Sequence, residues 1–458
     1  MNTPNMPPLP QVPYQPPVKK KPSLTVKLLV IMLLIVILVI PWALLEWLIY
    51  DRERTSENAI NEVSNTWSRE QTVSGPILYV PFEAWNGTSK YTAHLKILPE
   101  QLTFDGNVSP EKRHRGIYDV IVYSTALKVT GSFRIPDYSS MKLDASKLEW
   151  DKAFIGIGIT DMRGIRDEVK LKWGDTSYVF SPGLEVSQDM YSPTGGISSA
   201  LKLDTAMRTP GGEVSFSFDL NLNGSKELYF EPLGKTTQLK LKSSWPHPSF
   251  TGAFLPDKPA TVNKDGFTAE WKVLNLNRNF PQAWVDNAYN TMDSRFGVNL
   301  MIPVDHYTKS ARASKYAILL IGLSFMVYFF VEVMQKMRIH PFQYTLVGLA
   351  ICIFYTLLIS LSEHLAFNGA YWIAAIATIS AITVYSGAIF KKQRPTVIMG
   401  LVLLMLYGFM FVIIQLQDYA LLVGSIALFI VLLILMYLSR KINWYEDEES
   451  GTSNDTNS

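Results

Sequence analysis

Charge-free apolar runs long enough to cross a bilayer occupy two regions of the chain, separated by a long stretch of shorter, alternating segments. The first run, Leu28 to Leu45, carries no charge, and taken from 23 to 50 it reaches the roughly 20 residues a helix needs to cross the hydrocarbon core. It lacks an A-x-A cleavage pattern and ends in Trp42, Glu46 and Trp47, which predicts an uncleaved signal anchor. Pro41 is tolerated in such a helix. The second region divides at its charges into spans near 316–334, 343–362, 370–390, 396–415 and 419–438.

Between the two regions the period changes. Ala59, Ile60, Val63 and Trp67 recur at helical spacing, so the first helix is expected to run on, amphipathic, beyond the membrane. After it come GPILYVPFEAW, YTAHLKIL, IYDVIVYSTALKVTGSFRI, AFIGIGIT, VSFSFDLNL, TTQLKLKSSW and TAEWKVLNLN, which alternate or run in β-branched and aromatic residues with Gly, Pro and Asn between them. The predicted fold class is a membrane α-helical bundle of six spans plus a large, mainly-β, sandwich-like extracytoplasmic domain. The segments are 1–22, a Pro-rich disordered tail; 23–50, the anchor; 51–307, the β domain; 308–440, five further spans; and 441–458, an acidic disordered tail.

Charge then orients the chain. Lys19, Lys20, Lys21 and Lys27 precede the first span, and Lys336, Arg338, Lys391, Lys392, Arg394, Arg440 and Lys441 all fall in alternate connections. The other short connections hold Glu363, His364 and Asp418 and no lysine or arginine. Basic residues near span ends prefer the cytoplasm, so both termini are expected inside and residues 51–307 outside. Lys309, Arg312 and Lys315 lie on the outer side, where a long translocated domain largely escapes that rule.

Composition narrows the chemistry. Charged residues are 18% of the chain, below the roughly 25% of soluble proteins, and the formal net charge is +2, which excludes a nucleic-acid binder. The one cysteine, Cys352, lies in a span and reads as packing, so no disulfide can hold the outer domain. The six histidines form no H-x-x-x-H and there is no C-x-x-C, G-x-S-x-G or P-loop; no cofactor, metal or catalytic set is expected.

A charged group within a span is a functional candidate by default, and Glu332 qualifies. Lys336 lies four residues on, the favourable order for a helical ion pair near the cytoplasmic end, and snorkelling is the plain reading. Ala370, Ala374, Ala377 and Ala381 suggest a small-residue packing face. Asp305–His306 and Glu363–His364 fall near the outer membrane surface, where interfacial hydrogen bonding is the default and a shared metal or proton site the alternative. Lys309, Arg312 and Tyr316 share a face if the second span extends outward, a stripe suited to lipid phosphates or to pairing with Asp305 and Glu363 rather than to an anionic ligand.

SSWPHPSFTGAFLP follows an alternating strand and cannot continue as a helix. Pro246 and Pro248 stiffen it, Gly252 permits a bend, and Trp245, His247, Phe250 and Phe254 form either a structural corner with mostly buried aromatics or a recognition surface for a protein or glycan.

ENAINEVSNTWSREQTVSGPILYVPF, RHRGIYDVIVYSTALKVTGSF, ITDMRGI, PLGKTTQLKLKSSWPHPSFTGAFLP, SLSEHLAF and PVDHYTKSARASKYAILLIGL resemble the CreD family of bacterial inner-membrane proteins, over about residues 50–440. The resemblance implies the Gram-negative inner membrane, a link to cell-envelope integrity and an envelope response under two-component control. It implies no catalytic residues. The function expected is therefore non-enzymatic, acting through the bilayer and an envelope-protein or cell-wall partner. A transporter or flippase-like protein is the alternative, and a periplasmic hydrolase the third.

Overall fold

The computed structural model describes residues 24–85, 87–137, 141, 143–184, 195–300, 306–335, 337–416 and 419–440. The chain divides into two compact units: Met1–Arg52 with His306–Ser458, and Glu53–Asp305.

The first unit is helical. α1 (Leu24–Trp67) begins in it and continues through Pro41, with the unit boundary falling after Arg52. α2 (His306–Lys315) is short and polar; α3 (Ala317–Met334), α4 (Pro341–Ser362), α5 (Phe367–Phe390), α6 (Gln393–Gln415) and α7 (Ala420–Ser439) are apolar. Among the described residues six helices, α1 and α3–α7, are long and apolar enough to cross a membrane. Each boundary has a local cause. Pro341 opens α4 where its missing N–H would be unsatisfied anyway, and the His340 ring accepts from the Phe342 N–H. α5 stops at Lys391, whose φ of 51° is left-handed. α1 packs against α4 at Gly348, where a Cβ would lie 2.2 Å from Leu38.

The expected small-residue face of α5 needs correction. Ala370 and Ala374 are fully buried, but Ala377 and Ala381 are exposed; the packed row continues instead through Thr378, Ile382, Ser386 and Phe390. It therefore steps by four residues throughout, the i±4 ridge of a helix, rather than by alternating fours and threes.

The second unit is mainly β. Its strands are β1 (Gln71–Trp85), β2 (Lys90–Ile97), β3 (Gln101–Arg115), β4 (Tyr118–Arg134), β5 (Phe154–Ile159), β6 (Lys170–Trp173), β7 (Thr176–Val179), β8 (Ser181–Pro182) and β9 (Gly195–Ala200). They are followed by β10 (Glu213–Ser225), β11 (Glu227–Phe230), β12 (Thr236–Ser243), β13 (Pro248–Gly252), β14 (Thr261–Asn263), β15 (Gly266–Leu274), β16 (Ala283–Val285) and β17 (Phe296–Leu300). One sheet has nine strands in the order β13-β17-β11-β1-β5-β9-β8, with β2 beside β1 and β16 beside β2. The other has eight, β14-β15-β12-β3-β4-β10-β6-β7.

Side-chain alternation places the core between the sheets. In β3, Leu102, Phe104 and Val108 are buried while Gln101, Asp105 and Asn107 are exposed, so this sheet shows water one face. β1, central in the other sheet, is buried without a break from Gln71 to Phe82. Rings cross the gap: Phe104 of β3 meets Phe230 of β11 at 5.0 Å between centroids, and Trp271 of β15 meets Phe296 of β17 at 5.8 Å. This is the sandwich that the alternating segments predicted.

Candidate functional site

Glu332 lies on the last turn of α3, and its side chain is 4% exposed. An ionised carboxylate buried in an apolar bundle persists only if its lone pairs are taken. Here both oxygens are. Oε1 accepts from Lys27 Nζ at 2.8 Å and from the Ile339 N–H at 3.1 Å, and Oε2 accepts from the Tyr344 hydroxyl at 3.0 Å. Tyr344 is itself held by edge contact with Phe325 at 5.4 Å and by Tyr328 at 5.7 Å. Tyr328 in turn shares a hydrogen bond with Ser386.

The expected helical partner, Lys336, lies outside the described residues. The cation that is described comes from the start of α1, and Glu332 is buried where a snorkelling side chain would stay wet. Lys27 is 26% exposed, so its stem is covered while its ammonium keeps some hydration.

This site joins the start of α1, the end of α3 and the start of α4. Lys392, at the start of α6, donates to Gln335 Oε1 at 3.0 Å and so belongs to the same end of the bundle. Other polar pairs mark the opposite end. Glu46 accepts from Ser314, whose carbonyl takes the Trp42 indole N–H at 2.9 Å. Glu363 accepts from the Tyr307 hydroxyl at 3.1 Å and lies 3.8 Å from Arg52. Asp305 and the His306 side chain lie outside the described residues; the neighbouring Tyr307 makes the contact with Glu363. His364 is exposed, and Lys309 lies over the Phe367 ring at 5.4 Å. Arg312 sits with Lys309 on α2, but the face does not run smoothly on to Tyr316, where the backbone leaves helical geometry before α3.

A family model described as "Inner membrane protein CreD" matches residues 23–445, nearly the whole chain. The chain belongs to the CreD family of inner membrane proteins. It is 31% identical over 428 residues to the Escherichia coli K12 protein of that description, covering 89% of this chain and 90% of the relative. A crystal structure from Legionella pneumophila, provisionally assigned as a nutrient binding protein, covers 56% of this chain and 76% of its own at 7% identity, and its TM-score of 0.26 carries no argument.

Within this CreD-family chain, several of the stretches that carry the resemblance turn out to be structural in the β unit. SSWPHPSFTGAFLP is the crossing between sheets: β12 belongs to the eight-stranded sheet, and β13 pairs with β17 in the nine-stranded one. Gly252 closes β13, where its φ is 102° and a Cβ would stand 2.3 Å from the Arg295 carbonyl, so only glycine lets the chain leave the strand there. Phe250 packs edge-on against Phe267 and Trp271, each at 5.6 Å, and Phe254 against Phe296 at 5.9 Å, while the Trp271 indole donates to the Phe254 carbonyl. Trp245, Phe250 and Phe254 are half-buried rather than mostly buried, because the crossing lies on the rim of the core; His247 is exposed beside Trp245. Half the burial means about half the usual cost of truncating a large aromatic. Trp245→Ala should therefore destabilise the β unit by about 1–2 kcal/mol, read as a fall of a few degrees in its thermal midpoint within the full chain. An unchanged midpoint would mark Trp245 as contact surface.

ITDMRGI follows β5 and fastens the end of α1. Asp161 Oδ2 accepts from the Arg69 N–H at 3.0 Å and from Arg163 Nη2 at 2.6 Å, and Arg163 also donates to the Asn65 carbonyl in the last turn of α1. The Arg163 guanidinium first, and then the backbone N–H groups of Arg69 and Arg163, hold the Asp161 carboxyl down at about 2. The hairpin of β3 and β4 adds Arg113 over the Trp67 ring at 3.9 Å and Arg115 against Glu62 at 2.5 Å.

One buried acid in the β unit carried no sequence signal. Glu231, just past β11, is wholly buried, accepts from Thr291 Oγ1 at 2.6 Å, and leaves Oε1 without a hydrogen-bond partner. Burial pushes its carboxyl up to about 7, against weaker opposing effects from Thr291, Ser74, Arg295 and Lys96. Its neighbours come from segments about 60 to 160 residues away, so no local pattern could expose it. Among the described residues no three His, Cys, Asp or Glu side chains group as metal ligands.

Proposed function

We propose that the protein is a non-enzymatic inner-membrane scaffold that presents its β unit on the periplasmic side and supports cell-envelope integrity through contacts with an envelope protein or the cell wall. The observation that carries this reading is the saturation of Glu332. Both its oxygens are occupied by Lys27, Ile339 and Tyr344, the arrangement of a structural clamp rather than of a group that loads and releases a substrate. In the sandwich, Phe250 and Phe254 of the candidate recognition stretch pack against core rings, and ITDMRGI and the β3–β4 hairpin fasten the end of α1.

The orientation rests on the alternation of basic connections and on the pairing of helix ends. Lys27 with Glu332 and Lys392 with Gln335 join ends that six passes put on one side, and Arg52 with Glu363 joins ends on the other. In a Cys352→Ala background, cysteine at Thr88 should react with an impermeant thiol reagent on intact spheroplasts, and cysteine at Ser453 should react only after lysis. Labelling of position 453 on intact spheroplasts would overturn the orientation.

The functional reading is tested by replacing the clamp with an apolar pair. A strain lacking the protein should become sensitive to envelope-perturbing detergent. The full chain carrying both Lys27→Met and Glu332→Leu should restore resistance if it accumulates normally. Failure to restore it at normal abundance would assign the charges to transport, and the scaffold reading would fall.

A further inference from the structure

The membrane unit leaves one helix poorly covered. No residue of α7 is buried, and two cavities of about 520 and about 350 Å³ lie between α7, α3 and α6. Leu323, Met405, Leu406, Val431 and Ile434 line both, so the cavities form a continuous groove along the helices. The lining is apolar almost throughout, and Ile398, Met405 and Ile434 stay exposed on its open side.

An empty apolar void is costly, because its lining loses dispersion contacts on one side. In a bilayer, hydrocarbon is at hand to fill it. The groove is not apolar at both ends. Gln335 and Arg394 line one of them, and Lys392 reaches Gln335 there. Lys392 meets a neutral amide, and no carboxylate among the described residues pairs with Arg394, whereas the nearby Glu332 is already held by Lys27. Two cations without a carboxylate partner among the described residues thus stand at the mouth of an apolar groove, at the end to which the charge pattern assigns the cytoplasm. Basic pockets between helices on that side suit lipid phosphates.

We propose that the groove between α3, α6 and α7 binds a phospholipid, its acyl chains along the groove and its anionic headgroup against Arg394 and Lys392. The lipid would complete the packing of α7 that the protein alone leaves open. This is a site for a resident lipid, independent of which partner the β unit meets.

Native mass spectrometry of the full chain, exchanged into detergent with either phosphatidylglycerol or phosphatidylcholine, tests it. The parent should retain phosphatidylglycerol in preference to phosphatidylcholine. Arg394→Gln, at an exposed position where folding is not at stake, should weaken phosphatidylglycerol retention about fivefold, and Arg394→Lys should restore most of it. Val431→Phe, which fills the shared part of the groove, should remove both lipids. Equal retention of the two lipids by the parent, or no change in Arg394→Gln, would overturn the proposal. So would a crosslink from a photoreactive residue at position 394 to the acidic segment 446–450 in native membranes, since the tail would then occupy the cationic end.

Discussion

Lys27→Met should destabilise the membrane unit by about 3–5 kcal/mol, and Glu332→Gln by only about 1 kcal/mol. The asymmetry follows from burial. Removing the lysine leaves a carboxylate with 4% exposure, supported among the described residues by the Tyr344 hydroxyl and the Ile339 N–H. Removing the charge from Glu332 leaves an amide whose oxygen still accepts from the Ile339 N–H and whose NH2 can donate to the Tyr344 hydroxyl oxygen, and an ammonium that is already 26% exposed and free to reach water. The combined Lys27→Met, Glu332→Leu chain should recover most of the loss, because an apolar pair of similar volume has no desolvation penalty. Thermal midpoints of the purified full chain, together with membrane abundance, give all three values. Equal effects of the two single changes, or a double variant no more stable than Lys27→Met, would show that the pair is not coupled as its geometry requires.

The second large effect concerns pH. The carboxyl of Glu231 is raised from 4.5 to about 7 by burial in the folded β unit. Between those values the folded chain holds a proton that the unfolded chain has released, so rising pH favours unfolding. The contribution is fully present below about 4.5, is lost as pH rises through about 7, and is flat above that. Its size is on the order of 3 kcal/mol, from about 1.4 kcal/mol per pKa unit. The thermal midpoint of the β unit in the full chain should therefore fall from pH 5 to pH 8, and Glu231→Gln should remove most of that slope and melt higher than the parent at pH 8. A slope of the opposite sign, or one unchanged by Glu231→Gln, would contradict the assignment. The loosening should begin where Thr291 holds the carboxyl, in the loop that leads into β17.

The two acids differ in how visible they are in sequence. Glu332 stands out as a charge in an apolar run, since a bilayer tolerates few such charges. Its expected partner came from helical spacing, but the cation that reaches it, Lys27, is 305 residues away. Glu231 sits in ELYFEPLG among ordinary polar residues, and only the sandwich buries it. On α5, alanine spacing pointed to the right face at Ala370 and Ala374 and to the wrong one at Ala377 and Ala381, because which helix ridge is used depends on the neighbour's groove.

What the sequence by itself determined is whatever a solvent imposes locally. Hydrocarbon thickness sets the length of α3–α7 and of the charge-free run inside α1, and one wet face sets the alternation in β3, β10, β12 and β15. It also determined that the chain must break regular structure at SSWPHPSF, through proline geometry. Only the tertiary structure decided that this break carries the chain from one sheet to the other, that β1 pairs in parallel with β11 and β3 with β12, and that Lys27 closes on Glu332. Those outcomes depend on contacts between distant segments, whose free energy comes from shared burial and from satisfied polar groups that no local window contains.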